Sequence, residues 1–248
     1  MFPRLTAFDI LKLFFRALFT LLVVAVFVVL FWRMGSSRVP KELVTLTPNE
    51  ALLEAYRAQG DGLQKLTQEQ NTITRNEENY GYFTVSSAVF VPDAEQLQLL
   101  VRYNDSTLKA LQKDYALDFL PSSDKDWFDV TLVLAIDKTP DNAEDNLAND
   151  PSSVELVRVK PSELVARAHH GRHSYRKFVF DGVDFDGGLL AVYADFYYIG
   201  DLAYENADFD VYTDKAYGTL CLYAFTEDAI NRQQPLTKDD KAALDAAR

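Results

Sequence analysis

The sequence predicts a mainly β protein, an antiparallel sandwich of immunoglobulin-like or jelly-roll-like kind, carried behind one N-terminal transmembrane helix. Three observations predict it. Ala17 to Trp32 run sixteen residues without a charge. After Tyr80 the apolar period changes from helical to alternating. The alternating segments number about eight, are short and are separated by turn residues, with too few helical stretches between them for a βαβ sheet.

The apolar run comes first. A bilayer core needs about 20 residues at 1.5 Å each. Leu13, Phe14 and Phe15 lengthen the run, and Arg16 can snorkel past them, so the span is placed at 13–33 behind a short tail, 1–12. Trp32 and Arg33 suit an interface. A cleaved signal peptide is the rival reading, with Gly35-Ser36-Ser37 as its cleavage point, but its apolar core would be shorter. No cysteine lies nearby to take a lipid. Arg4, Lys12 and Arg16 balance Arg33, Arg38 and Lys41 across the span. The α-amino group tips the N-terminus inward, which predicts a single-pass protein of the cell membrane with its body outside the cytoplasm.

The charge is divided along the chain. Its 248 residues carry a net −12. Residues 1–41 hold six Lys and Arg against Asp9 alone, a net +5, which leaves −17 for residues 42–248. So acidic a body argues against nucleic acid as a partner, because phosphate binding needs clustered Lys and Arg. The single cysteine, Cys221, excludes an intrachain disulfide framework. Its apolar strand context predicts a buried small side chain.

Residues 34–79 read as a linker and helical neck. Thr47-Pro48-Asn49-Glu50 is a helix start with Thr47 as cap and Glu50 completing a capping box. Ala51–Tyr56 continue the helix, Gly60 or Gly62 ends it, and a second helical piece is expected over 63–70. Residues 67–79 are a polar connection. The sandwich domain is placed at 80–227. Phe83, Val85, Ser87, Val89 and Val91 share one strand face. Pro92–Glu95 turn, and Leu97, Leu99, Val101 and Tyr103 share the face of the next strand, forming an antiparallel hairpin. Ser106–Tyr115 is a connecting helix, and 128–136 reads as a central strand. Further strands are expected at 154–160, 175–180, 189–199, 209–213 and 219–225. Lys138–Ser153 is a long acidic loop. Residues 228–248 form a C-terminal helix or tail, with Thr237 before an acidic first turn.

Three clusters are candidate sites. The basic island of residues 158–177 is a net +5 and contains Arg167, His169, His170, Arg172, His173 and Arg176. It could dock an acidic partner, a phosphate or anionic headgroups, or pair with the body's own acids. His169 and His173 have the i, i+4 spacing of a helical metal pair, but Gly171 and the surrounding Arg side chains argue against a divalent ion. Residues 181–214 carry nine Asp and Glu without Lys or Arg. There Asp181, Asp184 and Asp186 resemble part of a calcium loop but lack its full spacing, and turn chemistry is the favoured account of them. In strand 189–199, Leu190, Val192, Ala194, Phe196 and Tyr198 are expected on the core face. Tyr193, Asp195 and Tyr197 then lie on the other, as a platform for a sugar or a protein.

No G-x-S-x-G, P-loop or Rossmann signature occurs, no cofactor is implied, and no internal repeat is found. The expected function is a non-enzymatic, membrane-anchored protein that presents a sandwich to a protein partner of the envelope. A carbohydrate- or calcium-dependent binding module is the alternative, ahead of an anchored hydrolase. The sequence sets no oligomeric state.

Overall fold

The computed structural model describes residues 7–36, 38–68, 71–72, 83–138, 154–184, 188–198, 218–225 and 232–248. The chain divides into two compact units, Met1–Arg38 and Val39–Arg248. Among its described residues the first holds one helix, α1 (Ala7–Ser36), which begins inside the stretch expected as a tail. Its segment Leu11–Trp32 is 22 residues of apolar sequence with none of its length buried. At 1.5 Å per residue this is about 33 Å, enough to cross the hydrocarbon core of a bilayer. Thr20 donates its hydroxyl to the Arg16 carbonyl at 2.9 Å, so its polar group is settled within the helix.

The second unit opens with α2 (Lys41–Val44) and α3 (Glu50–Gln59). Asn49, not Thr47, caps α3. Its extended backbone lets the side chain accept from the Leu52 amide, while Thr47 spends both backbone groups on Gln98. Gly60, at φ +57, ends the helix as expected. Residues 64–68 form a strand, β1 (Gln64–Gln68), instead of helix, because Leu66, Thr67 and Gln68 pair with Phe90, Val89 and Ala88. Tertiary pairing overrides the local preference here.

After β2 (Asn71–Thr72) come the hairpin strands β3 (Thr84–Val91) and β4 (Gln96–Tyr103). A bulge between Val85 and Ser87 breaks the expected single face of β3. Phe83, Val85, Ala88 and Phe90 enter the sandwich core, whereas Val89 and Val91 join a different cluster. Helix α4 (Asp105–Asp114) starts at an Asn104 capping box. It leads to β5 (Phe128–Asp137), β6 (Val154–Val159), β7 (Glu163–His170) and β8 (His173–Asp181). Then follow β9 (Leu189–Tyr198), β10 (Gly218–Ala224), β11 (Gln234–Pro235) and α5 (Lys238–Ala247). The acidic loop from residue 139 and the strand expected at 209–213 lie outside the described residues.

The strands make two antiparallel sheets, β11-β1-β3-β4-β8-β7 with β2 alongside β3, and β10-β9-β5-β6. The hairpins β3–β4, β5–β6, β7–β8 and β9–β10 alternate between them. The two sheets share one apolar core. Phe128 sits at its centre, with the rings of Phe83, Tyr103, Phe178 and Phe196 between 4.6 and 6.2 Å away.

The larger sheet is buried on its second face as well. Val89 and Val91 pack with Leu52, Tyr56, Leu63, Leu236 and Leu244 from α3, α5 and their flanks. Leu100 and Tyr175 pack with Leu43, Val39 and Val44. The stretches expected as a neck and a tail are therefore a third layer of the same unit. Asp240, 1% exposed, fastens this layer. Its carboxylate accepts from the Leu46 amide at 2.9 Å, from the Thr237 amide and hydroxyl, and from Lys65 Nζ at 2.5 Å. Burial alone would push this carboxyl up, but the bonds from Lys65, Thr237 and Leu46 outweigh it and hold it below the usual carboxylate range.

Removing one partner of a buried pair leaves an uncompensated charge. Asp240→Ala is expected to destabilise the full chain by about 3–5 kcal/mol in thermal unfolding in detergent micelles. Asp240→Leu combined with Lys65→Met should recover at least half of that; equal losses in single and double variants would contradict the assignment. Because the folded carboxyl titrates below the unfolded one, its stabilisation is present above roughly pH 4 and fades as pH falls through the folded value.

Candidate functional site

The expected platform on β9 is buried. Tyr197 is 2% exposed and Asp195 5%, while Tyr193 is half-buried. Asp195 accepts from the Thr219 hydroxyl at 2.6 Å and from Tyr197 Oη at 3.4 Å, so its carboxylate faces this chain's own hydroxyls. On the same sheet face Asp129 stands opposite Tyr197, and burial pushes its carboxyl up. Cys221 is exposed, contrary to expectation, because strand alternation gives the core to Leu220 and Leu222 instead.

Two of the three expected calcium residues are described. Asp181 accepts from Asn49 Nδ2 and Gln96 Nε2, Asp184 is exposed, and Asp186 lies outside the described residues. Among the described residues no group of three His, Cys, Asp or Glu is placed to hold a metal.

The basic island is a β-hairpin, not a helix. His170 pairs with His173 across a two-residue turn, with Gly171 at φ +62 in its first central position, as a type II′ turn requires. The alternation of a strand puts His169 and His173 on opposite faces, which removes the helical metal pair. Further along, Arg167 and Arg176 converge on Asp126 at 2.6 and 2.7 Å. Burial would raise the Asp126 carboxyl, but the two guanidiniums hold it low. Arg176 is itself buried and lies 5.4 Å from the centre of the Tyr103 ring. Half of the island is therefore internal structure. The Gly-Arg pair between two alternating segments was the signal for the hairpin.

Polar groups converge instead on the outer face of the larger sheet, in a cleft of about 590 Å³. Lys65 and Thr67 of β1 and Ser86 and Ser87 of β3 line it, with Thr45 and the start of α5 at its sides. Two of its charged pairs are closed, Lys65 with Asp240 and Lys41 with Asp239. Gln68 Oε1 and Ser86 Oγ are buried there without a hydrogen-bond partner. Ser86 is the extra residue of the β3 bulge, a device that re-aims a side chain. A second cleft, about 450 Å³, shares Thr67 and Gln68 and is walled by Tyr223 and Phe225. The Tyr223 hydroxyl donates to the Leu66 and Ala88 carbonyls, and burial pushes its titration far up. Sequence reasoning missed the first cleft, since it took 63–70 as helix; the Ser86-Ser87 pair interrupting an apolar alternation was the available signal.

Beside the cleft, a polar ladder holds residues 45–49 to the sheet. Gln98 bonds both backbone groups of Thr47 and donates to Gln96 Oε1 at 2.7 Å, and Gln96 reaches Asn49 at 2.6 Å. Lys177, 4% exposed, donates to the Thr45 carbonyl. Burial brings its ammonium down to about 8; the Asp240 carboxylate opposes this and the Lys65 charge adds to it. No protein-family model matches the chain, and comparison with curated proteins and with solved structures finds no match.

Charged Lys177 is an electrostatic cost in the folded state. A fall from 10.5 to about 8 corresponds to about 3 kcal/mol, against about 1 kcal/mol for the Thr45 bond. Lys177→Met is therefore expected to raise stability at pH 7 by roughly 2 kcal/mol. The unfolded chain binds the extra proton between about pH 8 and 10.5, so the wild-type protein gains on the variant as pH rises through that window. Thermal unfolding at pH 7 and pH 10 checks this; a loss at both values would show that the Thr45 bond dominates.

Proposed function

We propose that this chain is a single-pass, membrane-anchored, non-enzymatic protein that holds its sandwich outside the cytoplasm and binds an extended, uncharged polar segment of a protein partner. One observation carries the reading. The 590 Å³ cleft offers hydroxyl and amide groups, two of them buried without partners, around ion pairs already closed on themselves. Such a site supplies directional hydrogen bonds to a peptide and little net charge. Lys65 and Asp240 neutralise each other and are committed to the fold, which favours binding over chemistry. The anchor follows from the unburied apolar span of α1. The sugar-platform alternative loses its footing with the burial of Asp195 and Tyr197.

Two measurements test this. Protease added to intact cells is expected to digest the body; survival of residues 39–248 would overturn the outside placement. A photo-crosslinking side chain at Thr67, which is exposed and lines the cleft, is expected to capture one discrete partner. The same group at Glu54, exposed on α3, should not. Equal capture at both positions, or capture at neither, would contradict the cleft.

A further inference from the structure

We propose that the loop between α4 and β5 is a second protein-binding surface, on which Phe119 and Leu120 enter an apolar pocket with a basic rim on a partner protein. The loop shares no residue with either cleft, so this inference goes beyond the cleft and does not depend on it. Exposure is the first argument. Phe119 is 52% exposed and Leu120 54%. Among the described residues of the body, every other Phe, Tyr and Trp is buried or half-buried. A scattered apolar side chain needs no explanation, but an adjacent aromatic and aliphatic pair has the composition of an interface anchor.

Fixation of the loop is the second argument. Helix α4 ends in a Schellman motif, with Ala116 at φ +48 and the Ala116 and Leu117 amides donating to the Lys113 and Gln112 carbonyls. Leu117 packs against the sandwich core. Pro121 is buried, and its ring restricts Leu120 to extended backbone. The far side of the loop is tied down three times. The Trp127 indole N–H donates to the Ser122 carbonyl. Tyr103 Oη donates to the Ser123 carbonyl at 3.1 Å. Buried Arg176 reaches the Ser123 and Lys125 carbonyls at 3.1 and 3.2 Å while it holds Asp126. Phe119 itself leans on Trp127, with ring centres 5.6 Å apart. A loop fixed at so many points has little freedom left to lose on binding, so its exposed pair is preorganised.

Charge is the third argument and selects the occupant. Residues 114–124 carry Asp114, Asp118 and Asp124 and no Lys or Arg, and all three carboxylates are exposed. Acids around an apolar centre fit a basic rim. They repel an anionic lipid surface, and they repel a second copy of a body whose net charge is −17. A basic partner protein is the occupant that this chemistry favours.

The test places the photo-crosslinking residue p-benzoylphenylalanine at Leu120 of the full chain, in its own membrane, and maps the crosslinked peptide by mass spectrometry. The expected adduct lies on one partner protein, at apolar residues flanked by Lys and Arg. The affinity of that protein for the full chain in lipid nanodiscs is then measured. Phe119→Ser is expected to weaken it about thirtyfold, as loss of an anchor does, with thermal unfolding little changed because the ring is exposed. Leu120→Ser, which leaves the Trp127 contact in place, is expected to weaken binding as well, so a folding defect in the first variant would not mask the result. Asp118→Lys combined with Asp124→Lys is expected to slow association about tenfold at low salt. Unchanged affinity in both serine variants overturns the proposal. So do adducts only to lipid, to a second copy of this chain or to an acidic surface, and so does the absence of any adduct.

Discussion

One buried carboxylate ties both ends of the body to its sheet. Asp240 sits in the first turn of α5, accepts from the backbone of residue 46, and pairs with a lysine from β1. Three segments far apart in sequence meet at this group. Without it the apolar outer face of the larger sheet, including Val89, Val91, Leu100 and Tyr175, would lose its cover. A sheet with one wet face needs polar residues there. This one has apolar residues interleaved with Gln96, Gln98 and Lys177, and that composition is stable only beneath a layer able to satisfy both kinds of group.

The cleft follows from the same layer. The cleft exists because α5 and residues 41–45 stand over the sheet without filling the space above the β3 bulge. This connects the fold to the proposed role: the layer that closes the sheet also frames the cleft proposed to bind.

Much of this was readable from the residues. The long apolar N-terminal helix, the β3–β4 hairpin, the central position of β5 and the Thr237-capped helix follow from composition, period and capping chemistry, which are local signals. The failures share one cause. β1 carries no strand pattern of its own and becomes a strand only because β3 has an edge to pair. The β3 bulge is invisible to a period-two reading and reverses the face of Val89 and Val91. Asp126 and Asp240, whose roles are set by partners tens to hundreds of residues away, look like any other acid in an acidic chain. Tyr197 and Asp195 alternate with the core face as expected, but alternation reports which face a side chain is on, not whether that face is covered.

The stretches flanking the sandwich pack as part of its core and are not appendages. Native-state hydrogen exchange at the Leu46 amide, which donates to Asp240, tests this directly. If the third layer is integral, Leu46 exchanges only through global unfolding, at the same free energy as the amides of β5. Exchange of Leu46 through a local opening, well before β5, would show that the terminal layer detaches on its own and would contradict the account.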